Sequence, residues 1–143
     1  MMSEQTKSKA LRLFLRIYGF LSLALFSALM TGFAVRAPIL QEGGSLCWTI
    51  WDKVTDHVGP MLFAIYIVWS VFLIRAAEDP EKSASFLDFT IWANLAHTLV
   101  MVPMALSMDR YYSKFFTDIP WIMILPLALL LLRPSPRSAL QAA

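Results

Sequence analysis

The sequence predicts an all-α fold, a four-helix transmembrane bundle with a short outer interfacial helix between the first two spans. Three observations carry that prediction. Of the 143 residues 58% are hydrophobic and 15% charged, with mean hydropathy +0.61, which departs from the composition of soluble globular domains. The charges are clustered, and between the clusters lie four apolar stretches, 13–35, 58–74, 86–106 and 115–132. Each is long enough, or nearly so, to cross a hydrocarbon core of about 30 Å at about 1.5 Å per residue. What remains is connector and tail, so residues 1–143 read as a single polytopic membrane domain with no room for a soluble catalytic one.

The net charge of +2 does not mark a nucleic-acid binder, because the cations sit at helix ends rather than over one folded surface. Their distribution predicts orientation instead. Lys7, Lys9, Arg12, Arg16, Arg75, Lys82, Arg133 and Arg137 fall on one side, against Arg36, Lys53, Arg110 and Lys114 on the other. The positive-inside rule then puts both termini in the cytoplasm. Cys47 is the single cysteine, so an intrachain disulfide and a CxxC redox or zinc site are both excluded.

The first span follows a basic front and ends near Gly32-Phe33-Ala34, which imitates a signal-peptidase site. Its apolar run is longer than a signal h-region of about 7–15 residues, so a retained span is expected. Within it Ala24, Ala28 and Thr31, with Ser27 beside them, form a small-residue stripe that invites close helix packing. After the Gly43-Gly44-Ser45 break, Cys47, Ile50, Trp51, Val54 and Val58 recur at helical spacing, and an amphipathic helix over 46–57 is expected. Trp48 and Trp51 would hold it at the membrane surface.

Gly59-Pro60 and Ile119-Pro120 mark the first turns of the second and fourth spans, with Asp118 as N-cap of the fourth. Pro103 and Pro126 lie inside spans three and four, where each frees a carbonyl one turn back. The fourth span is short: residues 119–132 cover only about 21 Å at the standard rise, so Phe115 and Phe116 must extend it.

The third span carries the chemistry. Thr90, Asn94, His97, Met101, Met104 and Met108 fall on one helical stripe, and an amide and an imidazole are costly against lipid. They are expected to face the bundle interior or a cavity. Counting residues from the ends of antiparallel spans two and three brings Tyr66 to the level of His97, about 12–14 Å below the outer edge, as its hydrogen-bond partner. The same count puts Trp69 and Trp92 in the inner half, packed in the core or near a ligand. Asn94, His97, Tyr66 and Met101 are therefore the candidate ligand-binding residues.

No cofactor is predicted. Bis-histidine haem needs a second histidine level with His97, and His57 lies more than about 10 Å above it by helix rise. His97 and Met101 share one helix face, the wrong arrangement for opposite axial ligands. Met30, Met61, Met101, Met104, Met108 and Met123 with His97 would suit Cu(I) in donor type, but methionine is also ordinary core filler. Asp52, Asp56, Glu78, Asp79 and Glu81 read as solvated interfacial acids, and neither a phosphate-binding loop nor a hydrolase or metalloprotease motif is present.

The run Arg75-Ala76-Ala77-Glu78-Asp79-Pro80, followed by Trp92, Asn94, Leu95, His97 and Met101, resembles small four-span bacterial membrane proteins of uncharacterised function. That resemblance implies a four-helix membrane fold in the bacterial inner membrane and brings no activity with it. The first functional expectation is a non-enzymatic membrane component whose partners are the lipid bilayer and a homo-oligomer or larger membrane complex. The alternative is a ligand-handling bundle that binds a proton, metal or lipid-like molecule around His97.

Overall fold

A computed structural model describes residues 3–50 and 58–133. Four helices account for most of them: α1 Glu4–Ala34, α2 Val58–Ala76, α3 Ala84–Ser107 and α4 Asp118–Leu132. Three 3-10 segments lie in the connectors, at Pro38–Leu40, Cys47–Thr49 and Asp109–Phe116. The described chain contains no strand, and four helical stretches, the last running from Tyr111 to Leu132, are long and apolar enough to cross a membrane. The protein is a four-helix transmembrane bundle.

The helices start and stop for local reasons. α1 begins well before its apolar run because Ser3 caps it, its hydroxyl accepting from the Thr6 amide at 3.2 Å. It ends in a Schellman arrangement, with Arg36 N–H on the Phe33 carbonyl at 3.1 Å and Ala37 N–H on the Gly32 carbonyl at 2.8 Å. Arg36 takes the left-handed conformation there, at φ 50°, where glycine is the usual residue. Pro60 and Pro120 occupy first turns, as expected, and α4 stops at Arg133, whose extended backbone suits a residue preceding proline. Thr117, not Asp118, is the residue before α4, so Asp118 is its first helical residue and not its N-cap.

Of the stretch 46–57, over which an interfacial helix is expected, the described residues 46–50 do not show an α-helix. Cys47–Thr49 is a single 3-10 turn, and Ile50 is extended at φ −96°, ψ 137°. Leu46, Trp48 and Thr49 are tied into the connector by local hydrogen bonds instead, among them Trp48 Nε1–H to the Ser45 carbonyl at 3.0 Å. Trp51 and the remainder of that stretch lie outside the described residues.

α1 packs along α2 and also touches α4, while α3 packs along α4 and the 3-10 segment that precedes it. The close approach of α1 and α2 is set by Gly19, where an added Cβ would lie 2.7 Å from Ile74 Cγ1 and 3.3 Å from the Ser70 carbonyl. Gly19, Ser22 and Ser70 are buried there, whereas Ala24, Ala28 and Thr31 are exposed. The small-residue contact thus lies on the N-terminal side of the stripe expected to make it.

Two apolar clusters divide the interior. The larger joins Leu11, Leu15, Leu73, Leu87, Leu125 and Leu129 from all four helices near the end that carries the termini. The smaller joins Met101, Ala105, Tyr111, Ile119 and Ile122 at the opposite end, called here the connector end. An ion pair between the Arg133 guanidinium and the Asp88 carboxylate closes the terminal end between α4 and α3.

Candidate functional site

Between the two clusters runs a chain of aromatic and polar side chains that touches every helix. His97 on α3 and Tyr66 on α2 are joined by a hydrogen bond of 2.9 Å between Nδ1 and the phenol oxygen. The Tyr66 ring stacks on Phe26 of α1 at 4.6 Å and meets Trp69 edge-on at 5.7 Å. Trp69 in turn donates its indole N–H to the Thr90 hydroxyl of α3 at 3.2 Å and receives Tyr18 of α1 edge-on at 6.3 Å. Tyr18 stacks on Trp121 of α4 at 5.0 Å and donates its hydroxyl to the Trp121 carbonyl at 2.8 Å. α2 and α3 therefore meet through long side chains, with Phe72 against Phe86 at 5.9 Å completing the seam.

The four candidate residues do not converge on one point. His97 and Tyr66 are both half-buried and bonded to each other. Asn94 is buried, but its amide nitrogen donates to the Thr90 carbonyl of its own helix at 2.7 Å, which satisfies a polar group locally rather than aiming it at a ligand. Met101 packs in the smaller apolar cluster. The other methionines are dispersed: Met123 lines a surface groove beside Thr98 and Pro103, and Met61 is 64% exposed. Among the described residues no group of three or more histidine, cysteine or acidic side chains gathers to hold a metal ion. Trp92, expected inside, is 71% exposed, on the opposite side of α3 from the buried Thr90, Asn94 and Thr98.

A charged pair completes the site. The Lys114 side chain is 1% exposed, and its ammonium lies 3.3 Å from the Asp118 carboxylate and 3.1 Å from the Trp48 carbonyl, to which it donates. Asp118 begins α4, whose next residue Ile119 packs in one cluster with Met101 and Ala105, below the end of α3. The pair sits within the apolar stretch Tyr111–Leu132. Four further buried polar atoms find no hydrogen-bond partner among the described residues: Ser22 Oγ, Thr98 Oγ1, Ser113 Oγ and Trp121 Nε1.

The family model for a family of unknown function, DUF6632, matches residues 6–139. The chain belongs to that family. No curated protein and no solved structure matches it. The match to DUF6632 takes in all four helices and every residue of the Tyr66–His97 and Lys114–Asp118 pairs, so the site lies wholly inside the family's shared region.

The Lys114–Asp118 pair was not legible as part of a site, because Lys114 falls in the connector 107–114, ahead of the fourth apolar stretch, where a cation marks the outer side of the membrane. The 3-10 segment Asp109–Phe116 instead folds back onto α3 and α4 and carries Lys114 inward. Tyr18 was hidden by its neighbours Arg12 and Arg16, which make it resemble an interfacial tyrosine. An i, i+4 spacing between Lys114 and Asp118 is the one available signal, and it is common at exposed helix ends.

Proposed function

We propose that this protein is a non-enzymatic integral membrane protein that takes up a proton, or a small polar ligand in its place, at the Tyr66–His97 pair. The observation that supports this reading is the unequal division of the bundle interior. The terminal half is filled by leucines, whereas the connector half holds an imidazole, an ammonium–carboxylate pair and the Thr98 and Ser113 hydroxyls, which find no hydrogen-bond partner among the described residues. Unsatisfied polar groups at membrane depth cost several kcal/mol each, about 3 or more, and buried charge costs more, so such groups are retained where they serve a polar occupant. A bundle that only packs has no need of them.

The chemistry available to His97 is that of a proton acceptor held by one hydrogen bond. With the imidazole neutral and its proton on Nε2, the Tyr66 hydroxyl donates to Nδ1; after protonation both ring nitrogens donate and the Tyr66 oxygen accepts. The pair accommodates either state by turning one hydroxyl. The other titratable groups inside the bundle are Tyr18 on α1, bonded to the Trp121 carbonyl, and the Lys114–Asp118 pair at the start of α4. The cation distribution supports an orientation with both termini cytoplasmic, so that the polar half faces outward.

A second reading, a homo-oligomeric or accessory component, is supported by Ala24, Ala28 and Thr31, small residues left exposed on α1. The deciding experiment is the pH dependence of thermal stability in wild type and His97→Gln, with the oligomeric state of both measured in the same detergent. Loss of that dependence in the variant supports the first reading. Equal profiles together with a stable oligomer support the second.

A further inference from the structure

At the terminal end the described cations divide into two sets, with Arg75 apart, its guanidinium over the Phe72 ring at 5.9 Å. Lys7 is paired with Glu4 at 3.3 Å, Lys82 with Asp79 at 3.0 Å, and Arg133 with Asp88. The hydrogen bond from Lys82 holds the Asp79 carboxyl below the usual carboxylate range, with Arg12 adding a smaller pull from α1. Lys9, Arg12 and Arg16 form no ion pair among the described residues, and all three are exposed. Their spacing of three and then four residues places them on one face of α1.

That face does not stop at the charges. Leu13, Ile17 and Phe20 continue it toward the bundle centre and are 60%, 52% and 59% exposed. α1 thus passes from three adjacent cations to bare hydrocarbon within about two turns, or about 11 Å, enough to cross a headgroup layer of about 5–8 Å and enter the upper acyl chains. Lysine and arginine stems lie along apolar surface while the charged heads reach for phosphate, and arginine meets phosphate with two parallel N–H donors. From this juxtaposition we infer that Lys9, Arg12 and Arg16, with Phe20 and Ile17 beneath them, form a binding site for an anionic phospholipid. The headgroup phosphate lies against the cations, and one acyl chain lies along the lower face. A zwitterionic lipid carries the same phosphate but offsets it with its own ammonium, and so gains less from three cations.

The site is independent of His97, and so is its test. The full chain is purified in detergent and titrated with phosphatidylglycerol or phosphatidylcholine of identical acyl chains, reading melting temperature and the lipid retained in native mass spectrometry. Phosphatidylglycerol is expected to raise the wild-type melting temperature by several degrees more than phosphatidylcholine and to bind at least about tenfold more tightly, since each surface cation favours an anionic lipid by several-fold. Lys9→Gln/Arg12→Gln/Arg16→Gln should bring the two lipids level, while Lys7→Gln/Lys82→Gln, which removes cations already paired, should keep the preference. Glycerol phosphate alone should reproduce little of the effect. Equal response of wild type to both lipids, a preference that survives the triple substitution, or a full effect from glycerol phosphate would each overturn the proposal. A triple variant that melts normally in phosphatidylcholine shows that its loss is not misfolding, and one that does not is replaced by Arg16→Gln alone, for which a partial loss of preference is expected and an unchanged preference counts against the site.

Discussion

Tyr18 fastens α1 to α4 twice, its ring stacked on Trp121 at 5.0 Å and its hydroxyl donating to the Trp121 carbonyl at 2.8 Å. The two contacts can be separated. Tyr18→Phe keeps the ring and removes the hydrogen bond, and interhelical hydrogen bonds in membrane proteins average about 0.6 kcal/mol with an upper range near 1.7. Tyr18→Ala also empties a site that is 4% exposed, where aromatic truncation costs about 3–5 kcal/mol. Denaturation in mixed detergent should therefore show a small loss for phenylalanine and a several-fold larger one for alanine. Similar losses for both would mean that the hydroxyl, not the ring, holds α4.

Lys114 and Asp118 make a different demand, because one partner is buried and the other partly exposed. Removing the lysine charge alone leaves a carboxylate without its ammonium and costs toward the lower end of the roughly 3–5 kcal/mol seen for broken buried pairs. Lys114→Met combined with Asp118→Leu removes both charges and should recover most of that loss. Lys114→Met should also loosen the first connector, since the ammonium donates to the Trp48 carbonyl. Faster proteolysis near Trp48 in the single variant checks this. A double variant no more stable than the single one would show that the charge pair is not the source of the loss.

What the sequence made legible, and what it did not, follows from the difference between depth and direction. Depth comes from counting along antiparallel helices, and that count brings Tyr66 and His97 to the same level, where they are bonded. Direction is harder. Trp92 has the depth expected of a core residue but turns away from the buried face, because a tryptophan is apolar enough to be stable on either side of a membrane helix. Three small residues at helical spacing, Ala24, Ala28 and Thr31, look like a packing face, yet Gly19 decides the approach because only glycine leaves room for Ile74. Lys114 was the largest surprise of the site, since a lysine in a polar connector gives no hint that a 3-10 segment will turn it inward.

Cys47 offers a topology test, being half-buried in the first connector and the only cysteine in the chain. With both termini cytoplasmic, a membrane-impermeant maleimide should modify it in intact cells, slowly because of its partial shielding. Modification that occurs only after the membrane is opened would reverse the orientation. Lys114→Met should speed the reaction if the ammonium helps hold the connector closed.

His97 is where the two functional readings diverge. If the imidazole only closes a hydrogen bond with Tyr66, glutamine in its place keeps a donor and an acceptor and changes little, and the His97→Leu/Tyr66→Phe pair couples by about 0.6 kcal/mol, the ordinary value for such a bond in a membrane. If it takes up a proton, the melting temperature of the wild type changes between about pH 5 and 8, where an ordinary histidine alters its charge, and His97→Gln abolishes that change while leaving the bundle folded. Asp118→Asn supplies a control at a carboxylate of the same bundle end: the wild-type dependence should survive it, because the partner bonded to the imidazole is Tyr66. Melting is measured in detergent for all three proteins across that range, with and without Cu(I) and lipid extract. Identical profiles for wild type and His97→Gln under every condition would eliminate the proton-binding reading and leave His97 as the residue that joins α3 to α2.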